Sequence, residues 1–405
     1  MELSKEALRS LSESAVLQPQ EQLLGVKNKQ SQLFIGIPKE ISFQENRVAL
    51  VPEAVALLVN NGHEVVIEAG AGIPSNFSDN DYSEAGARIA YGAEEVYKAD
   101  LILKVAPPLL EEIELLHRKQ TLISALQLTV QPQDFLKKLM AKKVTAIAWD
   151  FIKDEEGIFP IVRAMGEIAG TTSILIAAEH LSNIKGQGAM LGGISGVEPT
   201  RVVIIGAGTV GEYAARAAYG LGASVKVYDN SISKLRRLQN DLGLRMHTST
   251  IQPKQLAKAL RRADVAIGAI RSSHGRTPTV VSEQMVQQMK PCSVIVDVSI
   301  DQGGVFETSE VTNHENPVYT RYDVIHYCVP NIASRVSRTA SKALSNIFAP
   351  IILNVGAEGG VENVLRKYSG VRNGVYIFNG TLTNQYLGDV YEIPWKDLDL
   401  LMAAF

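Results

Sequence analysis

The sequence has little cysteine and no long uninterrupted apolar run. Two cysteines in 405 residues, Cys292 and Cys328, do not indicate a disulfide framework and are typical of a reducing compartment. The N-terminal stretch has no apolar signal-peptide core. The most apolar segment, 161–181, lacks the about 18 uninterrupted apolar residues of a membrane span, because Arg163 and Glu167 break it. We therefore expect a cytoplasmic protein that does not enter a membrane.

An excess of charge of one sign is also absent. The chain has 40 Lys and Arg against 43 Asp and Glu, which gives a formal net charge of −3. Nucleic-acid-binding proteins usually carry a clear basic excess, so we expect no nucleic-acid partner. The 46% hydrophobic and 20% charged residues are ordinary for a globular protein with sizeable cores, and the length suits roughly two or three domains.

Apolar runs of strand length alternate with helical segments almost throughout the chain. This pattern predicts an α/β fold built on parallel sheets. The strand-like runs of the first half lie at 34–40, 64–70, 101–106, 121–126 and 145–151. Those of the second half lie at 201–206, 224–229, 264–270, 293–300 and 323–329. The helical segments between them lie at 51–61, 110–117, 131–143, 233–242 and 255–263.

The break between the two series predicts two doubly wound parallel-sheet domains. Long helices near 161–184 and 337–355 are expected to link them. One continuous sheet is the alternative. The chain beyond the second long helix is expected to form a polar tail.

A glycine turn between a strand and a helix carries the most specific local motif, in VVIIGAGTVGEYAARAAYGLGASVKVYD. Gly206 allows the tight turn out of the strand. Gly208 lets a pyrophosphate approach the backbone, and Gly211 lets the helix pack closely on the sheet. The phosphates would lie at the helix N-terminus, beside Thr209 and Val210, where free N–H groups favour negative charge. The alternative is a tight turn without a ligand.

Asp229 ends the next strand, 18 residues after Gly211. A carboxylate there can accept both hydroxyls of an adenosine ribose and would repel a 2′-phosphate, so the unit is predicted to bind NAD rather than NADP. Lys234 and Arg236 lie nearby and would weaken that preference slightly. The expected division is an arm over 1–32, a substrate and catalytic domain over 33–160 plus 337–405, and an NAD-binding Rossmann domain over 161–336.

Seven further stretches match one family. They are GIPKE at 36–40, NRVAL at 46–50, GHEVVIEAGAG at 62–72, DLILKV at 100–105, GGISGVEP at 192–199, VDVSIDQGG at 296–304 and YCVPN at 327–331. From about Phe34 to its C-terminus, the chain resembles the alanine dehydrogenase family, which is related to the NAD-binding alpha subunit of proton-translocating transhydrogenase. The resemblance implies a homo-oligomer, often a hexamer, that acts on L-alanine, pyruvate and ammonium; we assign no metal.

The resemblance also implies roles for single residues. Arg47 matches the arginine that holds the substrate carboxylate, and a guanidinium suits that task because it donates two parallel hydrogen bonds. Lys104 matches a lysine that contacts the substrate and Asp301 the catalytic aspartate, while Asn331 and Met165 match residues near the nicotinamide. Each position also has a structural interpretation. The alternative for Arg47 is a surface ion pair, and that for Lys104 is a side chain that reaches solvent. Asp301 is otherwise a turn or cap residue, Asn331 a turn residue and Met165 a core residue.

One departure from the family concerns proton transfer. Relatives usually carry an acid–base histidine where this chain has Gln127, and glutamine cannot take up a proton. Asp301 is then expected to act with a water, or Lys104 to serve if burial lowers its pKa; Gln127 could orient the carbonyl. Gly166 also replaces a common serine, and the charged residue that often precedes the proline is missing in KVAPP at 104–108. His326, in an apolar strand, is expected to be structural.

Three functions follow from these observations. NAD-dependent oxidative deamination of L-alanine is the leading hypothesis. A transhydrogenase-like NAD-binding subunit is the second, although such relatives usually lack the aspartate of SIDQGG and have an Arg-rich loop around 161–170 that is missing here. An NAD-binding protein that has lost catalysis is the third hypothesis. The only observation that supports it is Gln127 in place of the histidine.

Overall fold

The strands of the protein form two separate sheets. The computed structural model describes residues 31–126, 132–243, 245–272 and 276–403. The strands are β1 (Phe34–Ile37), β2 (Glu64–Glu68), β3 (Arg88–Ala90), β4 (Leu101–Leu103), β5 (Thr121–Ser124), β6 (Thr145–Ala148), β7 (Arg201–Ile205), β8 (Ser224–Tyr228), β9 (His247–Ser249), β10 (Val265–Gly268), β11 (Val294–Asp297), β12 (Val318–Arg321), β13 (Val324–Tyr327), β14 (Val375–Phe378) and β15 (Thr381–Leu382).

Within the described residues, the first sheet has the order β15-β14-β6-β5-β4-β1-β2-β3 and the second β12-β13-β11-β10-β7-β8-β9. The strands from β6 to β3 and from β13 to β9 run parallel to their neighbours. The predicted α/β class with two doubly wound sheets is therefore confirmed, and a single continuous sheet is wrong.

Helices cover both faces of each sheet. They are α1 (Pro52–Asn60), α2 (Asp79–Glu84), α3 (Ala93–Val96), α4 (Leu110–Leu115), α5 (Gln133–Lys142), α6 (Pro160–Ser182), α7 (Thr209–Gly220), α8 (Ile232–Leu242), α9 (Pro253–Leu260), α10 (Glu283–Gln287), α11 (Ser337–Ala357), α12 (Val361–Lys367), α13 (Ser369–Arg372), α14 (Gln385–Tyr391) and α15 (Leu398–Ala403). Single 3₁₀ turns lie at Ile73–Ser75, Trp149–Phe151, Val298–Gln302 and Ile332–Val336.

The central strands are apolar on both sides, as expected when helices cover both faces of a parallel sheet. Successive side chains of a strand point to opposite faces. In β4, Leu101 and Leu103 therefore belong to one core of the first sheet and Ile102 to the other. The second sheet divides in the same way, with Val202 and Val203 in different cores. This alternation explains why unbroken apolar runs, rather than alternating ones, marked the strands in the sequence.

The two long helices lie where the chain passes between the sheets. α6 connects β6 to β7, and α11 lies between β13 and β14. By length and composition alone α6 could cross a membrane. It packs instead against α7, α11 and β11: its first turn joins the core of the first sheet through Ile161, and its later turns join that of the second through Ile174 and Leu181. The predicted domain boundaries remain a prediction.

The predicted polar tail is wrong. Residues beyond α11 form β14 and β15, and β14 pairs antiparallel with β6 through Val375 and Ile377. Val375–Phe378 is buried. This strand supplies hydrogen-bond partners and an apolar cover to β6, which would otherwise be an open edge of the sheet. The other added edge strand, β12, is antiparallel to β13.

Candidate active site

The chain order reverses beside β1 in the first sheet and beside β7 in the second. Ligands in open α/β sheets bind beyond the carboxyl ends of the strands at such reversals. Arg47 follows β1 and Lys104 follows β4, its neighbour across the reversal, while the glycine turn follows β7. Asp301 and Asn331 follow β11 and β13 of the same second sheet. All five predicted positions therefore lie beyond the carboxyl ends of strands.

The loop that carries Arg47 is held by serines from another part of the chain. Its backbone N–H groups at 46, 48 and 51 donate to the hydroxyls of Ser334, Ser341 and Ser345, at 2.9, 2.9 and 2.7 Å. Ser341 and Ser345 lie one helical turn apart on α11 and are fully buried. The buried N–H groups of this irregular loop are thus satisfied by side-chain hydroxyls. These bonds fix the backbone on both sides of Arg47 and so position its Cα and Cβ atoms.

Arg47 is buried and already paired. Its Nε donates to Glu45 Oε1 at 2.7 Å and its Nη2 to Glu45 Oε2 at 2.6 Å, in a two-point fork. Its Nη1 lies 3.4 Å from Met165 Sδ. The interpretation of Arg47 as a surface ion-pair partner is wrong, because only 8% of its side chain is exposed. A substrate carboxylate would have to meet the other edge, formed by Nη1 and Nη2.

Asn331 connects this arginine pair to Asp301. Its backbone N–H donates to Asp301 Oδ1 at 3.0 Å, and its side-chain amide donates to Glu45 Oε2 at 2.7 Å. Its φ of 54° is left-handed, a conformation that asparagine tolerates better than most residues. The structure therefore brings Arg47, Glu45, Asn331 and Asp301 together.

Asp301 keeps an exposed surface, although protein surrounds its carboxyl group. The surrounding protein desolvates the carboxyl and raises its pKa above the usual range, against the lowering effects of the Asn331 N–H and the Arg47 guanidinium. A carboxyl whose pKa moves toward neutrality is better suited to exchanging protons at working pH. The arrangement can thus support general acid–base chemistry.

Lys104 is fully buried between two carboxylates. Its Nζ lies 2.7 Å from Glu112 Oε1 and 3.1 Å from Glu40 Oε2, and Tyr97 also donates to Glu112 Oε1, at 3.0 Å. Burial alone would lower the pKa of Lys104, but the two carboxylates raise it by more. The expectation that burial makes Lys104 a base is therefore wrong: it is held as an ammonium. The interpretation that it only reaches toward solvent is also wrong.

The glycine turn has the shape that a dinucleotide phosphate needs. A Cβ on Gly206, whose φ is +117°, would overlap the Ala269 carbonyl oxygen, and one on Gly211 would overlap the Gly206 carbonyl oxygen. Gly208 differs, because apart from its own neighbouring chain no atom of the described residues lies within 4 Å of its Cβ position. Open space there, beside the first N–H groups of α7 at Thr209, fits a pyrophosphate.

Asp229 braces the turn from the end of β8. Its Oδ2 accepts from the Ala207 N–H and its Oδ1 from the Ser231 N–H, both at 2.7 Å. An ionised carboxylate has about four acceptor positions, so it retains capacity for the hydroxyls of a ribose. Arg237 donates to the Ala207 carbonyl oxygen at 3.1 Å, whereas Lys234 and Arg236 are exposed.

Helix α6 links the two ends of the site through adjacent residues. Met165 contacts Arg47, and a Cβ on the next residue, Gly166, would lie 3.4 Å from Thr209 and 3.6 Å from Val210. The helix packs most closely at Gly170, where a Cβ would overlap the Val210 carbonyl oxygen. Met165 packs against the first core and also contacts Arg47. Its core packing is therefore confirmed, and its place near the nicotinamide remains a prediction.

The two glycines after Gln302 do not leave an open space. A Cβ on Gly303 would overlap the Arg276 side chain, and one on Gly304 would lie 2.7 Å from Asp297 Oδ2. Both glycines have a left-handed φ, so the backbone requires them. They close a loop around buried Asp297, which accepts from the Ser299 and Val305 N–H groups.

A cleft of about 430 Å³ opens beside this cluster. Its lining comes from the loops after β1 and β4 and from the loops of the second sheet around 311–314 and 329–331. Glu45 and Asn331 therefore face both the Arg47–Asp301 cluster and the cleft. Among the described residues, no group of three or more His, Cys, Asp or Glu side chains could hold a metal ion.

The comparison with known families agrees with this geometry. The models described as Alanine dehydrogenase/PNT, N-terminal domain and C-terminal domain match residues 36–169 and 173–385. The chain belongs to the alanine dehydrogenase/PNT family. The match divides the chain within α6, the helix that packs in both cores.

Individual relatives cover nearly the whole chain. The alanine dehydrogenase of Methanococcus maripaludis is 40% identical over 366 residues, 90% of this chain and 98% of the relative. That of Mycolicibacterium smegmatis is 38% identical over 373 residues, 92% of this chain and all of the relative. A solved L-alanine dehydrogenase has a TM-score of 0.83 at 36% identity and covers 88% of this chain and 99% of its own.

Several residues around the site were not recognised in the sequence. Glu40, Glu45 and Glu112 pair with its cations, and His314 lines the cleft. Glu40 lies inside the family stretch GIPKE, and Glu45 directly precedes NRVAL, which is the signal that could have found them. Glu112 lies on α4, where only the folded chain shows which residue meets Lys104.

Two other titratable predictions have different outcomes. Gln127 lies outside the described residues, so its role remains a prediction. His326 is fully buried, bonds through Nε2 to Thr308 and through Nδ1 to Val324, and stacks on Tyr319. Its structural role is confirmed.

Proposed function

We propose that the protein catalyses the reversible NAD-dependent oxidative deamination of L-alanine to pyruvate and ammonium. The observation that carries the proposal is the Asn331 bridge: one residue contacts Glu45, which holds Arg47, and Asp301, in a chain of this family. A substrate carboxylate and a group that exchanges protons are then held on one side of the cleft. Positioning of this kind is a large part of what an enzyme adds to hydride transfer.

Arg47 and Lys104 are the substrate-binding residues of the proposal. The Nη1–Nη2 edge of Arg47 would bind the carboxylate of alanine, and Lys104, as an ammonium, would donate to a substrate oxygen. Bound NAD would accept the hydride from the substrate α-carbon. Because Arg47 is clamped by Glu45 and touches Met165, its head group would hold the carboxylate in one orientation.

Asp301 is the proposed proton acceptor. Alanine must lose a proton from its ammonium before hydride leaves the α-carbon, and the imine that results must then be attacked by water. Asp301 would take up one proton in each of these steps. It would pass the first proton to solvent and return the second to the nitrogen, so that ammonium leaves and one proton is released overall. A carboxyl with a raised pKa releases and accepts protons closer to neutral pH than an ordinary aspartate does.

The remaining assignments complete the proposal. NAD is the cofactor, with its pyrophosphate at the turn of Gly206, Gly208 and Gly211 and its adenosine ribose at Asp229. The nicotinamide would lie toward Asn331. We propose a cytoplasmic homo-oligomer with small-molecule substrates, and the domain division given above.

Formation of NADH from NAD and L-alanine by the purified chain tests the function. We expect Asp301→Asn to lower kcat by about 10²- to 10⁴-fold, the usual contribution of a positioned acid or base, while NADH binding is kept. Glu315→Gln, an exposed carboxylate in the neighbouring loop, is the matched control and should retain full activity. NADH binding without turnover of alanine or pyruvate would favour a protein that has lost catalysis.

A further inference from the structure

The carboxyl edge of the first sheet buries more carboxylates than cations. Among the described residues there, five Lys, Arg and Glu side chains each expose 8% or less of their surface. Two are cations and three are carboxylates: Arg47, Lys104, Glu40, Glu45 and Glu112. Buried charges are normally paired, so one carboxylate of this set is in excess.

The contacts identify the carboxylate in excess as Glu40. Glu45 is matched by the two-point fork of Arg47. Glu112 accepts from Lys104 through Oε1 and from the Leu109 N–H through Oε2, at 2.7 and 2.8 Å. Glu40 accepts from the Val105 N–H through Oε1, at 2.6 Å, and its Oε2 has only the ion-pair contact with Lys104, which lies nearer to Glu112.

The second oxygen of Glu40 is buried and has no hydrogen-bond partner in the described part of the chain. It lies 3.1 Å from Lys104 Nζ, which already donates to Glu112. A substrate carboxylate that approaches the same ammonium would therefore face this oxygen. A third carboxylate beside one ammonium raises the pKa of the carboxylates next to it, and a proton held by one of them removes the repulsion.

We propose that Glu40 carries a proton when substrate is bound and donates it from Oε2 to the substrate carboxylate, so that substrate binding is coupled to proton uptake. The inference rests on the proposed function, because it needs an α-amino or α-keto acid at Arg47 and Lys104. The proton comes from solvent and returns to it when the acid leaves. Glu40 is then a binding residue, and Lys104 remains an ammonium throughout.

The electrostatic surroundings of Glu40 favour the neutral form. Burial raises its pKa most strongly and Glu45 raises it further, against the lowering effects of Lys104 and of the Val105 N–H. The other charged groups that face the site are Arg47 on the same loop, Glu112 on α4 and Asp301 on the second sheet. Of these, Asp301 also has a raised pKa, so a test must separate it from Glu40.

Calorimetric binding of pyruvate to the holoenzyme loaded with NAD, in which no hydride can be transferred, provides the test. In two buffers of different ionisation enthalpy, the wild type should take up close to one proton per pyruvate at high pH. Its affinity should fall about tenfold for each pH unit above the pKa of Glu40. Glu40→Gln, which mimics the protonated carboxyl, should bind pyruvate without proton uptake and without this pH dependence.

Asp301→Asn and Glu111→Gln, which removes an exposed carboxylate on α4, are the carboxylate controls, and both should keep the proton uptake. An active wild type that binds pyruvate without proton uptake would overturn the role of Glu40. So would a Glu40→Gln variant with the pH profile of the wild type, or one that loses pyruvate affinity at every pH. Failure of the wild type to form NADH from L-alanine would instead contradict the proposed function.

Discussion

The side-chain amide of Asn331 donates to Glu45 Oε2 at 2.7 Å, across 286 positions of sequence. Glu45 belongs to the loop after β1 and Asn331 to the segment after β13, so the bond joins the two sheets at their carboxyl ends. Glu45 in turn orients Arg47, and the Asn331 N–H orients Asp301. The proposed substrate and proton-exchange groups are therefore assembled by the contact between the sheets, and neither sheet provides the arrangement alone.

The open space beside Gly208 predicts a specific effect on cofactor binding. Gly208 has a φ of −77°, which any residue adopts, so Gly208→Ala should fold normally. Its methyl group would occupy the space that the pyrophosphate needs, and we expect the Kd for NADH to rise about tenfold, or ~1.4 kcal/mol. Gly220→Ala is the matched control, because its Cβ position at the far end of α7 is equally open. Equal NADH affinity of the two variants, measured by fluorescence titration, would place the phosphates elsewhere.

The buried Arg47–Glu45 pair predicts a large stability effect. Arg47→Ala would leave the Glu45 carboxylate buried without its cation, and breaking a buried pair in this way costs about 3–5 kcal/mol of the free energy of unfolding. Arg88→Ala, which removes an exposed pair with Glu95, should cost no more than about 1 kcal/mol. Urea unfolding of both variants measures the difference. A smaller loss in Arg47→Ala than in Arg88→Ala would mean that the fork adds nothing to stability.

The parts of the site that sequence could predict are those that depend on local order. The glycines of the β7–α7 turn and Asp229 lie within one stretch of chain. The lengths of the turn, of α7 and of β8 set the spacing between them. Arg47 and Asp301 were found because the stretches around them match a family. In each case the relevant signal lies within a few residues.

The parts that sequence could not predict depend on contacts between distant segments. The carboxylates around Lys104 come from the loop after β1 and from α4, and no spacing rule predicts that they meet. The same is true of β14, whose four residues form a strand only because β6, far away in sequence, offers an open edge. The pKa of Lys104 was expected to fall with burial and instead rises, since its sign is decided by those distant carboxylates.

The serines of α11 predict a coupling between loop order and substrate affinity. Ser341→Ala would remove the acceptor for the Val48 N–H and the partner of the Ser75 hydroxyl. An unpaired buried N–H costs about 1–3 kcal/mol of stability, and the KM for L-alanine should rise because Arg47 is on the same loop. Ser337→Ala, which removes a bond from an exposed hydroxyl to the Pro74 carbonyl, should change neither quantity. Unaltered thermal unfolding and KM in Ser341→Ala would show that the loop is held by other contacts.

Buried His326 predicts how stability depends on pH. Its Nδ1 must donate to the Val324 carbonyl oxygen, so in the neutral ring its Nε2 accepts from the Thr308 hydroxyl. Burial lowers the pKa of His326 from 6.5 to about 4. Between these two values the unfolded chain binds a proton that the folded chain does not, and stability must therefore fall as the pH falls.

The shift in the pKa of His326 is large enough to measure in the free energy of unfolding. At 1.36 kcal/mol for each unit, it should account for ~3 kcal/mol lost between about pH 6.5 and about pH 4. His326→Gln keeps hydrogen-bonding atoms but cannot titrate. Over the same pH interval, the free energy of unfolding of this variant should fall by ~3 kcal/mol less than that of the wild type. This difference does not depend on the stability of the variant at neutral pH. Urea unfolding at a series of pH values gives both slopes. Parallel slopes for the two proteins would mean that His326 takes up its proton in the folded state as easily as in the unfolded chain.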